Sequence, residues 1–206
     1  MMDFSAASIW TITKMFVRDP AGASRLVLAA GIPLNGSVLM IILSAVLSSV
    51  FSGIQMQFVE PPRRILQMAD GTNVEIVMAG PIEQGLLAVI MGLVFGYAVY
   101  ALGKRFGGVG SLSAIMSVIA MLQIALAVIE AAVVVSFFVL PFMTLYIWLF
   151  GVFVLVRGLA FGVDAGHEFN SIGKAAIVIL LAGLVAVTTV AFIAGLTGLG
   201  FDLELL

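Results

Sequence analysis

Along this chain the apolar residues come in long blocks, separated by short breaks where the charges collect. No Asp, Glu, Lys or Arg lies between Arg25 and Glu60, Glu83 and Lys104, Arg105 and Glu130, Glu130 and Arg157, or Lys174 and Asp202. A helix rising 1.5 Å per residue needs about 20 apolar residues to cross the hydrocarbon core of a bilayer. The five charge-free stretches therefore predict five spans, at 33–54, 82–103, 112–135, 142–163 and 173–197. Pro141 separates the third from the fourth, because proline ends or kinks a helix. The third span can run on to residue 139 with tilt.

The segment before the first span reads differently. Ile9, Trp10, Ile12, Thr13, Phe16 and Val17 recur at helical spacing, with Lys14 and Arg18 elsewhere on the turn. That pattern predicts an amphipathic helix lying on the inner leaflet. Asp19-Pro20 opens a second short helix, with Asp19 as N-cap and Pro20 at the first helical position. Gly31-Ile32-Pro33 ends it. Residues 1–32 thus form an interfacial unit on the cytoplasmic side, and 33–200 a five-span membrane domain. The long break at 55–80 carries two β-prone runs, Ile65–Met68 and Val74–Met78, around Ala69-Asp70-Gly71-Thr72. Asp-Gly between such runs predicts a small β-hairpin outside the membrane. Residues 201–206 read as a short acidic tail, and its dileucine-like Glu204-Leu205-Leu206 ending as a coincidence. The expected fold class is therefore an all-α membrane protein, a five-helix bundle with an interfacial helix and a small outer hairpin. No internal repeat supports an inverted-repeat transporter architecture.

Composition sharpens this by exclusion. Of 206 residues 63% are apolar and only 10% charged, against about a quarter charged in soluble domains; the mean hydropathy is +1.26. A soluble domain of this length leaves roughly a quarter to a third of its surface exposed, so a soluble enzyme, a secreted module and a disordered chain are excluded. A net charge of −2 offers no basic surface for nucleic acid. With no cysteine and one histidine, thiol chemistry, disulfides and multi-histidine metal sites are excluded within one chain. No cleavable leader is read, so the first span is expected to act as an uncleaved signal anchor. Lys14, Arg18, Arg25, Lys104, Arg105, Arg157 and Lys174 fall on one side of this topology, and Arg63 and Arg64 on the other. The positive-inside rule then places the N terminus inside and the C terminus outside.

Between Leu102 and Phe169 the chain reads Gly103-Lys104-Arg105-Phe106-Gly107-Gly108-Val109-Gly110-Ser111, then Leu122-Gln123, Leu140-Pro141 and Gly166-His167-Glu168-Phe169, with Arg18-Asp19-Pro20 upstream. This order resembles the bacterial branch of the YIP1 family of five-span membrane proteins, over about 15–200. Bacterial relatives usually read His-Gly-Phe where this chain has His167-Glu168-Phe169. The resemblance implies a membrane-organising protein of a bacterial inner membrane with a cytosolic N terminus. Eukaryotic members engage prenylated GTPases through a long N-terminal region with an Asp-Leu-Tyr-type motif. That motif is absent here, so the resemblance does not extend to a GTPase partner.

Glu130 and Arg157 are the clearest charges inside spans. Counted along their helices, they lie about 15 and 22 Å from the outer edge, so a pair between them is geometrically possible. The pair reads either as a proton or ion relay or as a structural contact. A protonated Glu130 bonded to a neighbouring backbone carbonyl, and Arg157 snorkelling inward, are further readings. Gln123, seven residues before Glu130, shares its helix face and suits interhelical hydrogen bonding. Lys104, Arg105, Arg157 and Lys174 read as an anionic-headgroup pocket or as plain positive-inside anchoring. His167, with Asp164 and Glu168 just past span four, lacks the ligand count of a metal site and is expected at the interface, as a cap or headgroup contact. The Gly107–Gly110 loop lacks the dinucleotide or P-loop pattern and reads as a turn. Gly92 with Gly96, and Gly158, Gly162 and Gly166, mark close helix contacts. No catalytic constellation and no cofactor motif is present. The expectation is a non-enzymatic scaffold, assembly factor or membrane organiser acting through lipids, other membrane proteins or itself. The alternative is a small transporter or channel using Glu130, Gln123 and Arg157.

Overall fold

The computed structural model describes the backbone of residues 5–59, 63–67, 73–78, 80–198 and 201–205, and side chains at 5–59 and 80–198. The described helices are α1 (Ala6–Arg18), α2 (Pro20–Ala29), α3 (Leu34–Met56), α4 (Pro81–Arg105), α5 (Leu112–Val139), α6 (Pro141–His167) and α7 (Ile172–Thr197). Helices α3 to α7 are each 23 to 28 residues long and apolar enough to cross a membrane. The chain is a multi-pass integral membrane protein.

Local chemistry sets the helix ends. Asp19 caps α2, its Oδ1 accepting from Gly22 N at 2.9 Å, with Pro20 at the first helical position where its missing N–H costs nothing. Ser111 and Ser171 cap α5 and α7 by accepting from Ala114 N and Lys174 N. Leu140 leaves the helical region (φ −143°, ψ 72°), as the residue before a proline must, and so parts α5 from α6. Helix α6 runs on to His167 rather than stopping at 163, so His167 belongs to the helix and not to a following loop.

Helix α5 is the centre of the bundle. It packs against α3, α4 and α6 and, on its remaining side, against α1 and α2; α7 lies outside it, against α4 and α6. Over its most apolar 18 residues α5 is 61% buried, whereas the other four long helices reach only 17 to 22%. Those four therefore present most of their apolar surface to the perimeter.

The first helix departs from the expectation of a face laid on lipid. Ile12 and Phe16, the latter fully buried, pack with Met121, Leu122, Ile124 and Ile129 of α5 and Val154 of α6. The Ile12–Phe16 side of α1 is thus covered by protein, while Trp10 stays exposed. A face of this width satisfies the same pattern on lipid or on a helix, and the groove between α5 and α6 competes for it successfully.

At the other end of the bundle, β1 (Arg63–Gln67) and β2 (Asn73–Met78) run antiparallel, with Arg63 opposite Val77 and Gln67 opposite Asn73. Residues 68–72, on which the expected Asp70-Gly71 turn falls, lie outside the described residues. The C-terminal residues are not a free tail. They form β3 (Phe201–Leu205), antiparallel to β2 in the order β1-β2-β3. A two-stranded ribbon alone is marginal in water, and a third strand pairs the open edge of β2. The four helices α4 to α7 between the two segments return the chain to the same end.

Candidate functional site along α5

Helix α3 carries Ser44, Ser48 and Ser52 at intervals of four residues, hence on one face. Each meets a long polar side chain from a neighbouring helix. Ser44 Oγ shares its proton between the Ile41 carbonyl at 2.8 Å and Gln123 Oε1 at 3.1 Å. Ser48 Oγ donates to Glu130 Oε2 at 2.5 Å. Ser52 Oγ donates to Gln84 Oε1 of α4 at 3.0 Å. The result is a file of hydrogen bonds from the middle of α3 to its C-terminal end. Toward the other end it is closed by Ile41, Met116 and Ala120, all buried.

Glu130 stands where two cavities approach α5. One, about 270 Å³, lies among α3, α4 and α5, with Ser44, Ser48, Gln123 and Glu130 in its wall. The other, about 300 Å³, lies between α5 and α6 beside Gln55, Trp148 and Glu130. Both are mainly apolar, and both have the low end of the volume range of small-ligand sites. Among the described residues no ion pair involves Glu130. Charge in hydrocarbon is costly without compensation. The one bonded partner of Glu130 among the described residues is the Ser48 hydroxyl.

The Glu130–Arg157 pair does not form. Arg157 Nη1 instead donates to the Val17 carbonyl of α1 at 3.1 Å. Its guanidinium also lies 5.7 Å from the Phe153 ring and 5.9 Å from the Phe161 ring, one turn to either side on α6. The last four carbonyls of a helix have no partner within it, and a cation there also meets the negative end of the helix dipole. Arg157 supplies both to α1. It is equally remote from the anionic-headgroup pocket anticipated with Lys104, Arg105 and Lys174. Lys104 Nζ donates to the Val109 carbonyl at 3.1 Å, and Lys174 sits in the first turn of α7, which packs along α4. Arg157 lies ten residues up α6 from His167, away from that end.

His167 is not an interfacial contact. Its side chain is fully buried. Nε2 lies 3.2 Å from the Val99 carbonyl, and the ring stacks on Phe169 with centroids 5.0 Å apart. A carbonyl partner makes Nε2 the donor. Nδ1 faces the glycine loop and is without a hydrogen-bond partner among the described residues. The loop is more than a turn. A methyl group on Gly103 or Gly108 would strike the imidazole, so these glycines create the space the ring occupies. Val109 N closes the enclosure on the His167 carbonyl at 3.0 Å. Asp164 Oδ1 accepts from Ser171 N at 2.8 Å, and Glu168 ends α6 in the left-handed region (φ 56°).

The glycine stripes receive knobs from α5 and α3. A methyl on Gly158, Gly162 or Gly166 would come within 2.6 Å of Leu122, 2.5 Å of Val118 or 2.7 Å of Ile115, respectively. Gly92 faces Ile41 and Gln123, and Gly96 faces Met116. All these contacts lie within one chain.

The serine file and the anchoring of α1 were missed from sequence, although each left a trace. Serines at 44, 48 and 52 share one helical face, and phenylalanines flank Arg157 at four residues to each side. No protein-family model matches the chain, and no curated protein or solved structure is significantly similar to it.

Proposed function

We propose that this protein is a non-enzymatic membrane organiser, a scaffold or assembly factor of YIP1-like type, that works by seating a partner in the lateral grooves flanking α5. The carrying observation is Glu130, set in the walls of two mainly apolar cavities with only Ser48 bonded to it among the described residues. A transmembrane helix or a lipid offering one hydroxyl, amide or ammonium group among apolar surface would complete that environment. In this reading the membrane is a bacterial inner membrane, with the N terminus cytoplasmic and the C terminus outside; the excess of Lys and Arg on the N-terminal side supports that orientation. Partners are lipids, other membrane proteins or a second copy, with no nucleic acid, no cofactor and no GTPase. Purification in mild detergent tests the reading. A partner or lipid should co-purify with the parent chain and be lost from Glu130→Leu. Repeated isolation of the parent chain alone, with every other membrane complex unchanged by its deletion, overturns it.

A second reading is favoured by the serine file. Hydrogen-bonding groups spaced one turn apart, reaching a carboxyl group beside cavities, also suit a small transporter or channel. Flux into proteoliposomes that falls in Glu130→Gln supports this reading. Flux that is absent, or indifferent to that substitution, ends it.

A further inference from the structure

A third cavity, about 410 Å³, does not have Glu130 in its wall. It is a trough bounded by α1 on one side and by α5 and α6 on the other. Its floor is apolar, built from Val128 and Ala132 of α5 and Ile147 and Phe150 of α6. Its rim is not. Trp10, Lys14 and Arg18 line it from α1 at four-residue steps, which places them on one face. Both cations are exposed, and among the described residues neither forms an ion pair. The Lys14 ammonium lies 5.7 Å from the Trp10 ring. The nearest acid in sequence, Asp19, is turned to the start of α2, where it accepts from Gly22 N. Two cations and an indole thus stand over an apolar channel that opens on the perimeter of a membrane protein, where Phe150 and Trp10 are exposed.

We propose that this trough seats an anionic phospholipid, its acyl chain along α5 and α6 and its phosphate between Lys14 and Arg18. Charge decides the occupant. An apolar groove alone would take any acyl chain. Two cations at its rim, without ion pairs among the described residues, select the headgroup, each by about fivefold over a zwitterionic lipid. The indole of Trp10 suits the boundary between chain and headgroup. The site lies apart from Lys104, Arg105 and Lys174, and does not depend on the role given to Glu130.

The chain has two tryptophans, Trp10 and Trp148, so Trp148→Phe leaves Trp10 as sole reporter at the trough. In phosphatidylcholine vesicles carrying a small fraction of dibrominated lipid, Trp10 fluorescence should be quenched by brominated phosphatidylglycerol at a roughly 25-fold lower mole fraction than by brominated phosphatidylcholine. Unbrominated phosphatidylglycerol should relieve the quenching, a measurement that needs no variant at the rim. Lys14→Gln and Arg18→Gln should each reduce the preference several-fold, and together abolish it. Equal quenching by the two brominated lipids overturns the proposal. So does a preference that survives the double substitution. Quenching that rises only when protein is diluted into lipid also overturns it, by assigning the trough to a second copy of the chain.

Discussion

Gly162 offers the sharpest test of the packing around α5. Its Cα faces Val118, and a methyl group there would lie 2.5 Å from Val118 Cγ1 and 3.5 Å from Ser24 Oγ. Ordinary contact needs roughly 3.5 to 4 Å, so about 1 Å of overlap must be relieved. Val118 cannot yield cheaply. It is branched at Cβ and stiff about χ1 in a helix, and it is buried in the cluster that joins α1, α2, α5 and α6. Ser24, on the far side, is itself buried and bonded to the Pro20 carbonyl at 2.8 Å. The helices must therefore separate, at a cost of about 1–3 kcal/mol for overpacking of this kind. Gly183, within α7, is the internal control, because a methyl there meets nothing within 4 Å. Its replacement by alanine should be neutral or stabilising by up to about 1 kcal/mol, the intrinsic difference between the two residues in a helix. Unfolding of the purified protein by titration with SDS in mixed micelles should show a lower midpoint for Gly162→Ala and an equal or higher one for Gly183→Ala. Adding Val118→Ala to Gly162→Ala should recover part of the loss, with a coupling energy of about 1 kcal/mol or more, as expected for residues in contact. Equal shifts for the two glycine variants, or additive behaviour in the Gly162–Val118 cycle, would refute the close contact.

Arg157→Met removes the guanidinium from the end of α1. Because the chain has no cysteine, Thr13→Cys gives a clean probe at a buried α1 position. Its thiol labelling should rise about tenfold or more in the Arg157→Met background, from loss of a charge-assisted bond of roughly 1.5–3 kcal/mol; an unchanged rate would show that Ile12 and Phe16 suffice. Combining Arg157→Met with Glu130→Gln should give stability effects that add to within about 0.5 kcal/mol, as for independent sites. A coupling above about 1 kcal/mol would restore the ion pair. Glu168→Gly should raise stability by about 1 kcal/mol by relieving the left-handed conformation of a residue with a Cβ; a loss of stability would indicate an unrecognised role for the carboxylate. Gly103→Ala should destabilise by roughly 1–3 kcal/mol through collision with the His167 ring, whereas Gly173→Ala, with only Ser171 Oγ at 3.9 Å, should not.

The long helices were legible because a single variable, the absence of charge, marks a bilayer-crossing segment. Their ends were less so. Helix α6 passes residue 163 and ends at Glu168, because Asp164 and His167 are absorbed by contacts rather than by water. Sequence alone has no measure of that. The side-chain partners were the least legible part. His167 reads as interfacial by its position near acids, yet Gly103 and Gly108, about 60 residues upstream, make a pocket for it. Gly103 reads as the end of a span and Gly108 as part of a turn, and neither points to the histidine. Gln123 was recognisable as an interhelical donor, but its partner on α3 was not, since serines in apolar helices are common and only the file of three at helical spacing distinguishes them. The third strand escaped notice because an acidic Asp-Leu-Glu-Leu tail offers no signal until β2 presents an open edge.

Arg157 and Glu130 show why a charge inside a span cannot be assigned by depth alone. A pairing argument built on the two helices α5 and α6 compares only opposite charges, and by that measure each residue is the other's natural partner. It omits backbone. A short helix that ends against the bundle leaves four carbonyls to be satisfied, and an arginine within reach can satisfy one of them. Once α1 docks on α5 through Ile12 and Phe16, its C-terminal turn comes within reach of Arg157, and the bond to Val17 follows. Glu130 is left with the Ser48 hydroxyl and two cavities. The N-terminal helix thus does more than cover apolar surface: its Val17 carbonyl engages the one arginine on α6, and the carboxyl group on α5 bonds to the Ser48 hydroxyl instead.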